Sequence, residues 1–418
     1  MASPHHPRTD HVDVGNQTEL GFSPERLGNI APGMSRFVRD GKIAGFIATV
    51  SRAGKLVLSE TAGNMDREAG RAMEPDAIFR IASMTKPVTA AAAMTLYEDG
   101  YFNLNTPVEE FIPQFRDLKV VKGSGPGGLE LEDPARTITM RHLFTHTTGL
   151  SYGWNPEDPV DAEYQRLLKQ SGKDGNQITN QEFVDLIVQA PLAFQPGTRW
   201  RYGFNIEVMG RIIEIISGKP LDQFFRERIL DPLQMVDTDF HVPANKRGRL
   251  AALYGHPERS KELVLMESPA KSAERPRPKF LSGGGGLLST AGDYTRFAQM
   301  LACGGTLDGV RILSPQTVAL FTVNHAPAAA LPYGFAQGED FYHKGYGFSL
   351  GTRVLIDVAK SGQAGTKGEF GWDGAFNTYF WVDRANQLSG VFMTQHHPNN
   401  YFPMADTFKQ LVYAALME

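Results

Sequence analysis

Short runs of apolar residues in extended patterns lie near both ends of the chain, whereas the middle carries apolar residues at helical spacing. Near the N-terminus, residues 44–50 and 55–60 predict two strands, and residues 52–54 between them predict the turn of a β-hairpin. Near the C-terminus, the pattern predicts three more strands, at residues 346–357, 375–382 and 388–395. We therefore expect both ends of the chain to build one antiparallel sheet together.

Helix signals surround these strands. Ser23, Pro24 and Glu25 supply an N-cap, a first-turn proline and an early acid, so we expect a helix from there to the stop at residues 39–41. A last helix is expected at about residues 404–417. In the middle of the chain, helical periodicity is clear at residues 184–189, 206–217 and 221–229.

These elements predict an α+β fold with an antiparallel sheet flanked by helices and an inserted, mainly helical domain. The sheet domain takes residues 23–90 and 281–418, and the helical domain takes residues 91–280. Residues 1–22 are polar and are expected to form a loose tail. Two Pro- and Gly-bearing stretches inside the helical domain look like linkers, at residues 123–134 and 269–278.

Composition excludes several classes of protein. The 418 residues carry 42 Lys and Arg against 46 Asp and Glu, without a basic stripe, so nucleic acid is not an expected partner. The single cysteine, Cys303, excludes an intrachain disulfide and a Cys-rich metal site, and we expect it to pack as a small apolar residue. No apolar run reaches the length of a membrane helix, and the N-terminus lacks the pattern of a signal peptide. We expect a cytoplasmic protein without a membrane partner.

The strongest candidate for chemistry is the pair Ser83 and Lys86, which fits the S-x-x-K pattern. Apolar residues follow at helical spacing until Gly100, so Ser83 is expected to open a helix. Three residues make almost one helical turn, which allows the Lys86 ammonium to lie beside the Ser83 hydroxyl. A desolvated lysine with a lowered pKa could accept the serine proton and create a nucleophile.

Two other serines compete for this role. Ser268 and Lys271 repeat the S-x-x-K spacing, but no apolar periodicity follows them, so we expect no helix to present them. Ser151 lies in a G-x-S-x-G pattern, which marks the nucleophile of α/β-hydrolases when a strand precedes it and a helix follows it. Here the preceding residues 140–145 predict a helix, and residues 154–159 cannot form one. We expect Ser151 to serve loop structure.

Four blocks in order resemble the serine β-lactamase and penicillin-binding-protein superfamily, and most closely the family VIII carboxylesterases of its class C-like branch. Besides the block of Ser83, they are residues 142–150, similar to H-L-L-T-H-T-S-G-L, residues 196–202, and residues 283–290 with Asp293 and Tyr294. The resemblance runs over most of the chain and implies a β-lactamase/transpeptidase-like fold.

The resemblance also implies roles for residues far from Ser83. Tyr202 would relay the serine proton to the leaving group, which requires a phenol acidified by a cation such as Lys86. Trp372 and Gly374 match the W-x-G of family VIII esterases, just before an expected strand at residues 376–382. Trp372 would stand where β-lactamases have a lysine, so neutral esters become the favoured substrates. The backbone N–H groups of Ser83 and Ala375 would form the oxyanion hole.

Several other residues have weaker claims. Tyr152, Trp154 and Phe204 are aromatic residues in or beside these blocks and are candidates to shape the substrate pocket, although core packing is an equal alternative. We expect residues 366–368, a T-K-G with the order of K-T-G reversed, to form a turn. We expect three further groups to have structural roles and to bind neither a metal nor a nucleotide. They are His142 with His146, the histidine pair at 396–397, which could alternatively border the pocket, and the glycines 283–286.

We therefore predict a serine carboxylesterase (hydrolase) that needs no cofactor and acts on a small-molecule ester with a short acyl chain through an acyl-enzyme on Ser83, with weak β-lactam hydrolysis as a side activity. Three alternatives stay open: a β-lactamase or D-alanyl carboxypeptidase, an acyltransferase using the same site, and a non-catalytic scaffold or binding protein. The sequence leaves the oligomeric state and the physiological ester open.

Overall fold

The computed structural model describes residues 15–125, 128–170, 172, 177–257, 261–334 and 344–417. Within them the helices are α1 Pro24–Leu27, α2 Ile30–Arg39, α3 Thr85–Glu98, α4 Met140–Phe144, α5 Pro159–Gln170, α6 Asn180–Ile187, α7 Asn205–Ser217, α8 Leu221–Phe225, α9 Pro269–Ala273, α10 Ala291–Ala302, α11 Pro315–Phe321, α12 Val358–Ser361 and α13 Met404–Ala415.

The strands of the same ranges are β1 Gly45–Arg52, β2 Lys55–Asp66, β3 Arg71–Ala72, β4 Ile78–Arg80, β5 Val120–Gly125, β6 Gly128–Glu132, β7 Leu253–Gly255, β8 Val264–Glu267, β9 Leu288–Thr290, β10 Thr306–Leu307, β11 Val310–Arg311, β12 Tyr346–Phe348, β13 Arg353–Leu355, β14 Phe370–Asp373, β15 Tyr379–Asp383, β16 Leu388–Met393 and β17 His396–His397.

The main sheet confirms the expected fold class. Its eight strands follow the order β12-β13-β14-β15-β16-β1-β2-β3 and are antiparallel throughout. β1 pairs with both β2 and β16, so the two ends of the chain meet at the centre of the sheet. The predicted hairpin of β1 and β2 turns at Ala53 and Gly54, which both adopt positive φ.

Helices cover the two faces of this sheet because its side chains alternate in direction. Phe46, Ala48 and Val50 point into a core shared with α1, α2 and α13. Ile47 and Phe380 point to the other side, where α10 packs on β1, β15 and β16 and the larger core begins. α3 is buried around its whole circumference and packs on α7 and α8.

Three predicted elements differ from the structure. The strand expected at 346–357 is a hairpin, β12 and β13, since Gly351 adopts a φ of +69° between them. The strand expected from residue 375 begins only at Tyr379, because Asn377 adopts a φ of +60° in a turn with Gly374. The expected N-terminal helix is split into α1 and α2 around Gly28.

The described part of the expected tail, residues 15–22, is not loose. Gly15 N donates to Leu56 O (3.0 Å), and Phe22 is buried and pairs with Leu416. The earlier tail residues lie outside the described ranges. This segment is held in place because the apolar side chain of Phe22, just before α1, packs in the core against α13.

Both expected linkers contain regular structure. Residues 123–134 include most of the β5–β6 hairpin, and residues 269–278 include the short helix α9. The segment before α9 supplies β7 and β8, and β7 pairs with β17 from the C-terminal part of the chain. The division into a sheet domain and a helical domain stays a prediction. Every helix of the described ranges is too short or too polar to cross a lipid bilayer.

Candidate active site

Ser83 lies in a tight turn between a strand and a helix. β4 ends at Arg80, residues Ala82–Met84 form a 3₁₀ turn, and α3 begins at Thr85. Ala82 adopts a φ of +44°, a strained conformation that redirects the chain directly before Ser83. The Ser83 side chain is half-buried there. The expected helix does follow the serine directly, and Lys86 lies in its first turn.

Lys86 is 1% exposed and reaches Ser83. Its Nζ donates to Ser83 Oγ (3.0 Å) and to Gly284 O (2.6 Å), and it lies 4.5 Å from the centre of the Tyr202 ring. Desolvation lowers the pKa of Lys86 to about 8, against the opposing charges of Glu207 and Asp373. At mildly alkaline pH this amine can therefore accept a proton.

Tyr202 completes a three-residue cluster with Ser83 and Lys86. Its hydroxyl is hydrogen-bonded with Ser83 and accepts a hydrogen bond from Trp372 Nε1 (3.1 Å). Burial raises the pKa of Tyr202; those two hydrogen bonds lower it, and the charges of Asp373 and Glu207 raise it further. The expected acidified phenol is thus wrong for this site, since desolvation outweighs every group that favours the phenolate. Tyr202 is therefore a neutral phenol beside Lys86, whose pKa is lowered.

Trp372 and Gly374 lie at the end of β14 and in the turn after it, rather than directly before the next strand as expected. The Trp372 indole is 1% exposed and packs between Tyr202 and Phe348, with ring centroids 5.8 and 5.2 Å away. It is therefore packed behind Tyr202 and leaves little surface for a substrate to contact, whereas the resemblance implies a substrate-binding residue at this position.

Gly374 allows the turn after β14 to approach the segment that carries Ser83. A Cβ at this position would lie 2.3 Å from Ile81 O and 2.3 Å from Thr378 Oγ1, so a side chain does not fit. The next residue, Ala375, is exposed. Because Ile81 is two residues before Ser83, this approach brings Ala375 to the same edge of the site.

The three predicted pocket aromatics gather at the mouth of the site. Tyr152 and Trp154 stack at 4.9 Å with an interplanar angle of 12°, and Phe204 meets the Tyr152 ring edge-on at 4.6 Å. Tyr152 lies 5.1 Å from the Tyr202 ring. Trp154 is 63% exposed, which makes it the outermost of this group. These residues form one aromatic wall beside Tyr202.

Glu207 is a residue of the site that sequence reasoning did not single out. Its buried carboxylate accepts hydrogen bonds from Tyr152 Oη (3.2 Å) and Ser282 Oγ (3.2 Å) and lies against Gly284. Burial raises the pKa of Glu207, and the nearby charge of Lys86 lowers it. A signal was present, since Glu207 is an acid among the apolar residues 206–209 at the start of α7.

The histidines of the 142–150 block have structural contacts. His146 is buried, its Nδ1 meets Asn205 Nδ2 at 3.0 Å, and burial holds its pKa well below the usual value. His142 Nδ1 accepts from Thr139 N (3.2 Å) at the start of α4. Across the described ranges, no three His, Cys, Asp or Glu side chains gather as a metal site would require.

The two competing serines, Ser151 and Ser268, make structural hydrogen bonds. Ser151 is 2% exposed; its hydroxyl donates to Asp161 and accepts from Arg201 Nε (3.0 Å). Ser268 caps α9 by accepting from Lys271 N (3.3 Å), so a short helix does follow it, but the Lys271 side chain is exposed.

The remaining expectations concern turns and edges. Thr366 Oγ1 accepts from Asn386 Nδ2 (3.0 Å) in the turn before β14. His396, which could have bordered the pocket, is instead buried against His256, with Nε2 and Nδ1 2.7 Å apart.

Comparison with known proteins decides the family. The Beta-lactamase family model matches residues 30–414. The chain belongs to this family. It is 37% identical over 363 residues to protein Rv1367c of Mycobacterium tuberculosis, covering 86% of this chain and 87% of that one. It is 30% identical over 392 residues to Esterase EstB of Burkholderia gladioli, covering 90% and 92%.

The fold also matches solved structures. The structure of EstCE1, described as a hydrolase with promiscuous acyltransferase activity, superposes with a TM-score of 0.74 at 25% identity, over 95% of this chain and 99% of that one. Family and fold together confirm the predicted superfamily, the α+β architecture and the class of enzyme, a serine hydrolase.

Proposed function

We propose that this serine hydrolase is a carboxylesterase that cleaves small neutral esters through an acyl-enzyme on Ser83. The observation that carries the proposal is the buried Lys86 ammonium 3.0 Å from Ser83 Oγ, with Tyr202 on its other side. A hydroxyl becomes a useful nucleophile when an adjacent base accepts its proton. Lys86 is the group of the cluster whose pKa is lowered toward neutrality.

In the first half-reaction, unprotonated Lys86 takes the proton of Ser83 Oγ, which attacks the ester carbonyl. The N–H groups of Ser83 and Ala375 donate to the oxyanion of the tetrahedral intermediate. As the intermediate collapses, the C–O bond to the alcohol breaks. Tyr202 gives its proton to the departing oxygen and recovers one from Lys86.

In the second half-reaction, water attacks the acyl carbon and transfers a proton to the Tyr202–Lys86 pair. The bond to Ser83 Oγ then breaks, Ser83 takes that proton back, and the carboxylic acid leaves. Each proton taken up in one half-reaction is thus returned by its end, so the site regenerates itself without a cofactor.

The proposed substrate class rests on the residue at position 372. An indole at this position offers no ammonium to pair with the carboxylate of a β-lactam or of a peptide C-terminus, which disfavours the β-lactamase and D-alanyl carboxypeptidase alternatives. The name of the similar Burkholderia protein, Esterase EstB, agrees with ester hydrolysis. A short acyl chain is proposed from the resemblance to family VIII esterases.

Acyl transfer to an alcohol is the second candidate, because the similar structure of EstCE1 is described as that of a hydrolase with promiscuous acyltransferase activity. It would use the same acyl-enzyme, with an alcohol in place of water. Esterase activity measured with and without an added alcohol separates the two, since a transferase forms the new ester at the expense of the free acid.

The test measures kcat/KM for p-nitrophenyl acetate, butyrate and a long-chain ester, with a chromogenic cephalosporin alongside. We expect Ser83→Ala to lose short-ester turnover by at least a thousandfold, while Ser151→Ala keeps it. Fast cephalosporin turnover would replace the esterase proposal by the β-lactamase alternative. Loss of activity in Ser151→Ala alone would identify Ser151 as the nucleophile. If neither substitution lowered the turnover, the hydrolysis would come from a contaminating enzyme.

A further inference from the structure

A cavity of about 310 Å³ opens next to Ser83. Three segments of the candidate site each contribute a neighbouring residue to its wall: Ala82 precedes Ser83, Gly285 follows the Lys86 acceptor Gly284, and Phe376 follows Ala375. A direct contact also joins the cavity to the site, because the lining residue Ser282 donates to Glu207 (3.2 Å). A substituent of an ester bound at Ser83 can extend into this space.

Two guanidinium groups in the wall share one carboxylate. Arg80 is 9% exposed, and its Nη2 donates to Glu267 Oε1 (3.0 Å). Arg275 Nη2 donates to the other oxygen, Glu267 Oε2 (2.7 Å), and its side chain is half exposed. Two positive charges against one negative charge leave one positive charge in excess at the wall.

The hydrogen bonds of Arg80 hold it in place without cancelling that charge. Its Nη1 donates to Ala251 O (2.9 Å) and to Gln395 Oε1 (3.0 Å), both uncharged acceptors. Its buried Nε has no acceptor among the described residues. The site thus has a buried cation, Arg80, behind the half-exposed guanidinium of Arg275.

The other groups of the wall do not neutralise the excess charge. Burial, and then the charge of Arg277, lower the pKa of His241, so this imidazole is neutral. Ser272 and Ser282 add uncharged hydroxyls. Most of the remaining wall is apolar, contributed by Phe240, Val242, Leu250, Pro276, Pro278, Phe280, Leu287 and Leu288.

We propose that this cavity is a subsite for an apolar substituent of the ester that ends in a carboxylate, which Arg275 binds at the cavity wall. A guanidinium binds a carboxylate with two parallel hydrogen bonds, and the apolar wall favours the carbon chain or ring that carries it. The inference rests on the proposed esterase function. It extends that proposal to a second class of ester, since Trp372, where a cation is absent, is not among the residues that line this cavity.

The carboxylate can belong to the acyl group or to the alcohol, and two pairs of matched esters distinguish them. On the acyl side, p-nitrophenyl hexanoate is compared with the mono-p-nitrophenyl ester of adipic acid. On the alcohol side, p-tolyl acetate is compared with 4-acetoxybenzoate. The readout is the ratio of kcat/KM for the anionic ester to that for its neutral partner, measured in wild type and in each variant.

We expect Arg275→Gln to lower this ratio about tenfold for one of the two pairs, and Arg275→Lys to retain most of it. Arg277→Gln is the matched control, because Arg277 pairs with Asp222 and with Asp239 (3.0 Å) outside this cavity. The control keeps the wild-type ratio. If Arg277→Gln lowered the ratio equally, the positive charge of the whole surface would be the cause, and the subsite at Arg275 would be refuted.

The outcomes separate this inference from the esterase proposal. If neutral esters are hydrolysed through Ser83 and Arg275→Gln leaves both ratios unchanged, the anion subsite is refuted while the esterase proposal survives. If Ser83→Ala hydrolyses all four esters as fast as wild type, the esterase proposal itself is refuted, and the subsite with it.

Discussion

At the scale of single residues, the chemistry of this site depends on how Lys86 is surrounded. Tyr152 and Tyr202 place aromatic faces 5.4 and 4.5 Å from its Nζ, and burial removes water. Glu207 and Asp373 bring negative charge that favours the ammonium. Desolvation is the larger effect, so the lysine is a base near pH 8 instead of a permanent cation.

The pH dependence of activity tests this balance. If unprotonated Lys86 is the base, kcat/KM rises with pH and is half-maximal near the pKa of about 8. Removing a negative charge disfavours the ammonium, so Glu207→Gln moves this midpoint to lower pH, by roughly one unit. The measurement is kcat/KM for a neutral ester from pH 5 to 10.

A control for this change lies on the same helix. Glu214 is also a partly buried acid of α7, but it bonds Asn180, Arg211 and Leu221 and is not among the charges that act on Lys86. Glu214→Gln keeps the wild-type midpoint. A midpoint that stays in place in Glu207→Gln would show that this carboxylate does not tune the base.

At the scale of elements, the loop between α4 and α5 is built around buried polar groups. Asp161, in the first turn of α5, binds Arg201 Nη2 (2.7 Å) and the N–H of Asn155 (2.9 Å) and accepts the hydroxyl of Ser151. These contacts support the structural role predicted for Ser151, although its motif is typical of a nucleophile. The hydroxyl of Ser151 is used to hold the loop that presents Tyr152 and Trp154.

Stability measurements test that interpretation. Asp161→Ala leaves the Ser151 hydroxyl and the Asn155 N–H without their acceptor, and we expect a loss of roughly 2 to 3 kcal/mol in the free energy of unfolding. Asp158 binds the same Arg201 Nη2 (3.0 Å) from a more exposed position and also accepts from the N–H groups of Val160 (2.9 Å) and Asp161 (3.2 Å). The control is therefore Asp158→Asn, which removes the charge, keeps an acceptor for these N–H groups and costs less. Equal losses in urea unfolding would contradict the role given to Asp161.

At the scale of the whole molecule, a histidine pair joins distant parts of the chain. His396 in β17 and His256, next to β7, lie 140 residues apart in sequence, with His396 Nε2 and His256 Nδ1 at 2.7 Å. Asn377 Nδ2 lies 3.1 Å from His396 Nδ1 and donates to His396 O (2.9 Å) and Pro398 O (3.0 Å). Burial, and then the charges of His256 and His397, lower the pKa of His396 to about 4, against the opposing effect of the Pro398 carbonyl.

The contact between His396 and His256, called the joint here, stabilises the fold at neutral pH, and this contribution is lost at acidic pH. The unfolded chain binds the proton at its ordinary pKa of about 6.5. The contribution is therefore complete above pH 6.5 and is lost as the pH falls toward 4. Buried carboxyls such as Asp293, with a pKa raised to about 7, act in the opposite direction, so the prediction concerns a difference between two proteins.

We expect the free energy of unfolding of wild type, relative to that of His396→Gln, to fall between pH 6.5 and 5 by at most about 2 kcal/mol. Urea unfolding at pH 7, 6 and 5 measures it. Parallel curves for wild type and His396→Gln would refute this account of the joint.

The sequence supported the prediction of features that depend on neighbours along the chain. The β1–β2 hairpin, the helix opening after Ser83 and the placement of Lys86 within one turn of it all follow from spacing and turn residues. The boundaries failed where a residue took positive φ, as Gly351 and Asn377 did. A pattern of apolar residues does not reveal where the backbone reverses inside an extended run.

The sequence by itself thus determined that Ser83 and Lys86 lie side by side, because residues three apart in a helical turn must do so, and it indicated the family, because four blocks occur in order. Only the tertiary structure decided how these groups behave. Tyr202 and Trp372 are 170 residues apart, yet the indole binds the phenol. Desolvation of Lys86, the neutral state of Tyr202 and the place of Glu207 come from packing between distant segments, which spacing along the chain does not encode.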